Sequence, residues 1–115
     1  MKHECSCNKV ITIFQPHLFS RTRTFYKDFA KALSISDYSV IVDIYPAREK
    51  PIKHITSELI YNEMLNMGSK NILYNRDIQK LPKEIKDIYN DGDIIITMGA
   101  GDISKQNDII YEAIK

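Results

Sequence analysis

Four short apolar runs, each separated from the next by a segment with helical spacing, constrain this chain more than any other feature. The runs are residues 10–14, 40–44, 72–74 and 94–98. The first, second and fourth are rich in Ile and Val and show little strict alternation, the pattern of strands covered on both faces of a parallel sheet. Between the first two, Phe25, Phe29 and Leu33 recur every four residues, and Ser20 is placed to cap the helix they predict. Ile60, Met64 and Met67 form a second stripe, with Thr56 as its cap and Gly68 as its stop. Leu81, Ile85 and Ile88 make a third, with Pro82 in the first turn, where it costs no hydrogen bond. Ile103, Ile110 and Ile114 mark a last helix. Asn90, Asp91, Gly92 and Asp93 read as a tight turn into the last strand.

Strand and helix thus alternate four times in 115 residues. Parallel neighbours need crossovers of a dozen or more residues, and only the third gap is tight. The expected fold is one small, Rossmann-like, doubly wound α/β domain with a mostly parallel sheet. No repeat, low-complexity tract or linker points to a second domain.

Composition narrows the function. Sixteen Lys plus Arg against fifteen Asp plus Glu leave a formal charge of +1. That balance speaks against nucleic acid, which asks for a concentrated basic face. The apolar runs fall far short of the ~20 residues a membrane span needs. The first residues lack the apolar core of a signal peptide, so the expected location is cytoplasmic. Cys5 and Cys7 are too close for an unstrained mutual disulfide. With His3 they form half of a metal site, and only His17 and His54 remain to complete one, so no metal is expected.

Sheets of this kind bind ligands outside the carboxyl ends of their strands. The rule selects residues 15–20, 45–55, 75–80 and 99–104, and the special residues crowd into the first, second and fourth of these loops. The first, within F-Q-P-H-L-F-S-R-T-R, offers Gln15, His17, Arg21 and Arg23 at a helix mouth. An imidazole and an arginine fork there suit a carboxylate or phosphate, or serve as a sheet cap with solvated arginines. The second, D-I-Y-P-A-R-E-K-P-I, is stiffened by Pro46 and Pro51, and Arg48 with Glu49 suits a surface ion pair. The fourth, M-G-A-G-D-I, lacks the third glycine of a dinucleotide fingerprint and reads as a close-packed turn with Asp102 as helix cap. No P-loop sequence occurs, so ATP chemistry is not expected from the chain alone. Nor is there G-x-S-x-G or a cysteine in a mouth loop to act as a nucleophile.

F-Q-P-H-x-[FY]-[ST]-R-T, D-I-Y-x-A-R-E-K and G-D-[IV]-x-x-x-M-G-A-G-D-I stand in one order along the chain. Together they resemble the C-terminal domain of the Mur ligases, from about Lys9 to the end. The F-Q-P-H stretch is similar to that of the alanine-adding branch. The resemblance implies a cytoplasmic, three-domain enzyme of peptidoglycan synthesis that uses ATP and Mg2+, held mainly by its central domain. ATP phosphorylates the lactyl carboxylate of UDP-N-acetylmuramate, and the amine of L-alanine attacks the acyl phosphate to form an amide. By the family pattern His17 and Arg21 face the L-alanine carboxylate. Many members carry an arginine where this sequence has Leu18, so no role is given to position 18.

The family's D-D-Y-x-H-H-P segment is missing, and residues 1–8 read as a flexible lead-in to a partial domain over residues 9–115. Such a piece is expected to be inactive alone, to expose apolar surface next to the first strand, and to self-associate. A binding or regulatory module that kept the fold and lost the reaction, or a remnant without a ligand, is the alternative.

Overall fold

The computed structural model describes residues 9–45, 48–99, 103 and 106–114. His3, Cys5, Cys7 and Asp102, weighed above, lie outside the described residues. The chain runs β1 (Val10–Phe14), α1 (Phe19–Leu33), β2 (Tyr38–Val42), α2 (Glu58–Asn66), β3 (Ile72–Asn75), α3 (Leu81–Ile88), β4 (Ile94–Met98) and α4 (Asn107–Ile114). All strand pairs are parallel, in the order β3-β2-β1-β4. This is the doubly wound, Rossmann-like α/β arrangement that the apolar runs predict.

Side chains on successive strand residues point to opposite faces, and both faces of the central strands are covered. Ile11 and Ile13 of β1, with Val40 and Val42 of β2, pack against Leu81 and Ile85 of α3 and Ile103 and Ile110 near the C-terminus. On the other face, Ile41 of β2 packs against Ala30 and Leu33 of α1 and Ile60 and Met64 of α2, with Phe14 beside them. The two apolar layers explain why β1 and β2 show no polar alternation.

The run at residues 94–98, expected to be covered on both faces, forms the edge strand β4, which among the described residues is covered on one side only. Ile95 and Thr97 turn toward Ile110 and Ile114 of α4. Ile94, Ile96 and Met98, on the opposite face, are 55%, 43% and 46% exposed. The expected apolar surface is therefore present, on the strand that pairs with β1 along its whole length.

Several local expectations need correction. The second strand spans Tyr38–Val42 rather than residues 40–44. Its parallel register sets Tyr38 against Ile11 and Ile41 against Phe14, so Ile44 is buried as a loop residue beyond the ladder. Helix α1 starts at Phe19, which puts Ser20 inside the first turn. The cap position falls on Leu18, whose φ of 73° and apolar side chain supply no cap of their own. The cap position of α2 is Ser57, although the Thr56 hydroxyl accepts a hydrogen bond from the Glu58 amide at 3.2 Å. Ser57 instead donates its hydroxyl to the Val42 carbonyl at 2.6 Å, fastening α2 to the end of β2.

Other signals hold. Gly68, at φ +91°, ends α2, and the Ser69 amide returns to the Met64 carbonyl at 3.0 Å. The Asn90–Asp93 turn closes through a 2.9 Å hydrogen bond from the Asp93 amide to the Asn90 carbonyl. The short third crossover must pass from one sheet edge to the other. A 3-10 turn (Ile78–Lys80) leads directly into α3, with Pro82 in its first turn.

Candidate functional site

The carboxyl ends of β1, β2 and β4 are tied together by one buried side chain, Gln15, which is 3% exposed. Its Oε1 accepts a hydrogen bond from the Ile103 amide at 3.0 Å, and its Nε2 donates to the Asp43 carbonyl at 3.3 Å. Its own amide donates to the Met98 carbonyl at 2.9 Å. Gly99 must come this close without a side chain: a Cβ there would stand 2.5 Å from the Gln15 carbonyl oxygen.

The loops after β1 and β2 run side by side. The Tyr45 amide donates to the Pro16 carbonyl at 2.8 Å, and the Leu18 amide to the Tyr45 carbonyl at 2.9 Å. The His17 and Tyr45 rings stack at 6.0 Å with 18° between their planes. Position 18 thus has a backbone role that its side chain conceals: its left-handed conformation turns the chain from the loop into α1.

The missing cap of α1 comes from the second loop. Glu49 Oε1 accepts hydrogen bonds from the Phe19 amide and, at 3.0 Å, from the Ser20 amide. The Ser20 hydroxyl, those two amides and the nearby Arg23 hold the Glu49 carboxyl below its usual range, against a smaller cost of burial. The expected Arg48–Glu49 surface pair is replaced by this capping contact. A carboxylate at a helix N-terminus complements the helix dipole and satisfies donors the helix cannot.

His17 and Arg21 flank that junction. Both are exposed, with Arg21 in the first turns of α1 and its guanidinium carbon 5.8 Å from the centre of the Phe25 ring. Since Glu49 fills the helix mouth, an incoming carboxylate would meet these side chains and not the free amides. The fourth loop falls largely outside the described residues.

Sequence reasoning passed over a further polar group, at the ends of β2 and β3. The Tyr74 hydroxyl donates to Asp43 Oδ1 at 2.7 Å. Burial first, then the Asp43 carboxylate, push the Tyr74 phenol up to about 12. Arg76 lies over the same ring at 5.0 Å and reaches within 3.8 Å of Glu58. With Phe19 and Thr56 these residues line a cleft of about 400 Å³. The available signal was the loop at residues 75–80, chosen by the strand-end rule but poor in the special residues that drew attention elsewhere. Among the described residues, no three or more His, Cys, Asp or Glu side chains gather into a metal-binding group. No helix among them is long and apolar enough to cross a membrane.

The clamped, polar loops stand at the carboxyl ends of a parallel Rossmann-like sheet, the position at which sheets of this kind bind ligands. No protein-family model matches the chain. It is 48% identical over 95 residues to the UDP-N-acetylmuramate–L-alanine ligase of Phocaeicola vulgatus, and 45% identical over 96 residues to that of Cutibacterium acnes. A third such ligase, from Paenarthrobacter aurescens, is 42% identical over 107 residues, or 93% of this chain. Over most of its length the chain is thus similar to Mur ligases, in a manner consistent with their C-terminal domain. It spans 20–22% of the length of these three relatives.

Proposed function

We propose that this chain is the amino-acid-handling C-terminal part of an ATP-dependent UDP-N-acetylmuramate–L-alanine ligase of the cytoplasm, inactive by itself. One observation carries the reading: the chain shares 42–48% identity with ligases of that name, over 83–93% of its own length. His17 and Arg21 face the carboxylate of L-alanine. The Arg21 fork pairs with the carboxylate, and His17, its ring laid against Tyr45, limits where that carboxylate sits. Fixing the carboxylate aims the amine, an orientation effect worth several kcal/mol in intramolecular chemistry.

ATP and Mg2+ belong to the complete enzyme. The described residues do not fit nucleotide phosphates: the sequence has no P-loop, and the N-terminus of α1 already carries the Glu49 carboxylate. This chain's part is to bind and orient, with UDP-N-acetylmuramate held by the remainder of the ligase.

The test is phosphate release from ATP with UDP-N-acetylmuramate and L-alanine. It is run on the chain alone, then with a separately made protein supplying everything N-terminal in a relative. Activity only in the mixture is expected. Silence in both, with the added protein shown to be folded, would leave a binding module or a remnant. In the complete enzyme, Arg21→Ala should raise the requirement for L-alanine far more than that for ATP, and an unchanged L-alanine dependence would remove Arg21 from the site.

A further inference from the structure

The backbone of Leu18 stands at φ 73° and ψ 140°, a combination outside the regions open to a residue with a Cβ. His54, the other non-glycine residue at positive φ among the described residues, belongs to a type that visits such φ values several-fold more often. Leucine does not. A conformation of this kind is costly and persists only where the surroundings over-determine it.

Here they do. The angles φ and ψ turn the two peptide groups that flank Leu18, and both groups are pinned. On the loop side, the Leu18 amide donates to the Tyr45 carbonyl at 2.9 Å, and His17 forms a parallel bridge with Tyr45. On the helix side, the Leu18 carbonyl accepts from the Thr22 amide at 3.2 Å and from the Thr22 hydroxyl at 2.9 Å. The Phe19 amide, in the same peptide group, donates to Glu49. Thr22 is fully buried, so its end of the clamp is anchored in the packed side of α1.

The pinned residue joins the supports of the two exposed site side chains. His17 precedes it, tied to the connection after β2, and Arg21 follows it in the first turns of α1. Rotation at Leu18 would swing one support against the other. Glycine would take the same φ and ψ at no steric cost, and would also take many others.

We infer that Leu18 is a positioning residue: its strained backbone, locked by Tyr45, Thr22 and Glu49, fixes the placement of His17 relative to Arg21. The inference rests on the reading of those two side chains as the contacts of the L-alanine carboxylate. Leu18 acts through its neighbours. A looser link leaves both side chains present and less often aligned, which weakens substrate capture without removing any contact. Stability is given up for a single geometry, so substitution should separate the two.

The experiment compares Leu18→Ala with Leu18→Gly, which lose the leucine's packing alike and differ only in the Cβ that opposes the conformation. Stability is read from urea midpoints of the full chain. At ordinary φ the alanine variant of such a pair is the more stable; at Leu18 the order should reverse. The L-alanine requirement is read in the complete ligase, assembled by adding the N-terminal protein described above. There the glycine variant, although more stable, should need about two- to fivefold more L-alanine than the alanine variant, with the ATP requirement of the two alike. A purely structural role would move stability and substrate requirement in the same sense. The inference is overturned if the glycine variant has the lower or an equal midpoint. It is overturned as well if the glycine variant needs no more L-alanine than the alanine variant while Arg21→Ala raises the requirement. An inactive assembly, or an Arg21→Ala ligase with the parent's requirement, would instead sink the site assignment, and the inference with it.

Discussion

Glu49 Oε1 accepts a hydrogen bond from the Ser20 amide at 3.0 Å across 29 positions of sequence, so α1 is capped by a residue of the next strand–helix connection. The loop that carries His17 and the helix that carries Arg21 are thereby fixed to the loop after β2. Cutting this contact should affect the junction before it affects the core.

Glu49→Gln keeps an acceptor and removes the charge. The folded-state pKa of Glu49 lies below its ordinary 4.5, so its contribution is present above that value and lost as pH falls below it. The parent should lose stability between about pH 5 and its acid transition more steeply than Glu49→Gln, as read from urea midpoints at a series of pH values. Parallel curves would mean that the charge does nothing for the helix mouth.

Gln15→Leu strips the buried Ile103 amide of its acceptor and should cost about 1–3 kcal/mol. Gly99→Ala should cost a similar ~1–3 kcal/mol from its backbone conformation, at φ +130°, with the clash on Gln15 added. Both act on one clamp, so the double variant should lose less than the sum of the two. Denaturant unfolding of the four proteins decides this, and strict additivity would separate the two sites.

Tyr74→Phe should remove a phenol whose titration is pushed up by burial and by Asp43. With the Tyr74 pKa raised to about 12, its contribution to stability is complete below pH 10 and is lost as pH rises toward 12. The absorbance of tyrosinate should show one phenol fewer near pH 12. A variant whose absorbance near pH 12 matches the parent's would detach that phase from Tyr74.

The exposed row Ile94, Ile96 and Met98 should bind an apolar dye and promote concentration-dependent association. Ile96→Glu should reduce both while changing stability by no more than ~0.5 kcal/mol, as for most surface substitutions. Dye fluorescence and sedimentation at several concentrations test it. A parent that stays monomeric and binds no dye would refute the prediction.

The sequence alone determined the element order, because periods of two and near four leave their mark wherever a strand or helix buries apolar side chains. Unalternating Ile and Val in residues 10–14 and 40–44 required cover on both faces, and the α/β layering followed. Gly68 and the Asn90–Asp93 turn were legible for the same local reason: few residues tolerate the backbone those positions adopt. The motifs also put His17 and Arg21 at a strand mouth. Tertiary structure alone decided who caps α1, because Glu49 reaches Phe19 and Ser20 through space and nothing local to Leu18 announces it. It alone decided the ladder's register, which moved the second strand to Tyr38–Val42. The partners of Gln15 are likewise absent from any pattern. A polar side chain buried between distant segments has no periodicity to betray it, and its hydrogen bonds are set only when strands far apart in sequence lie side by side.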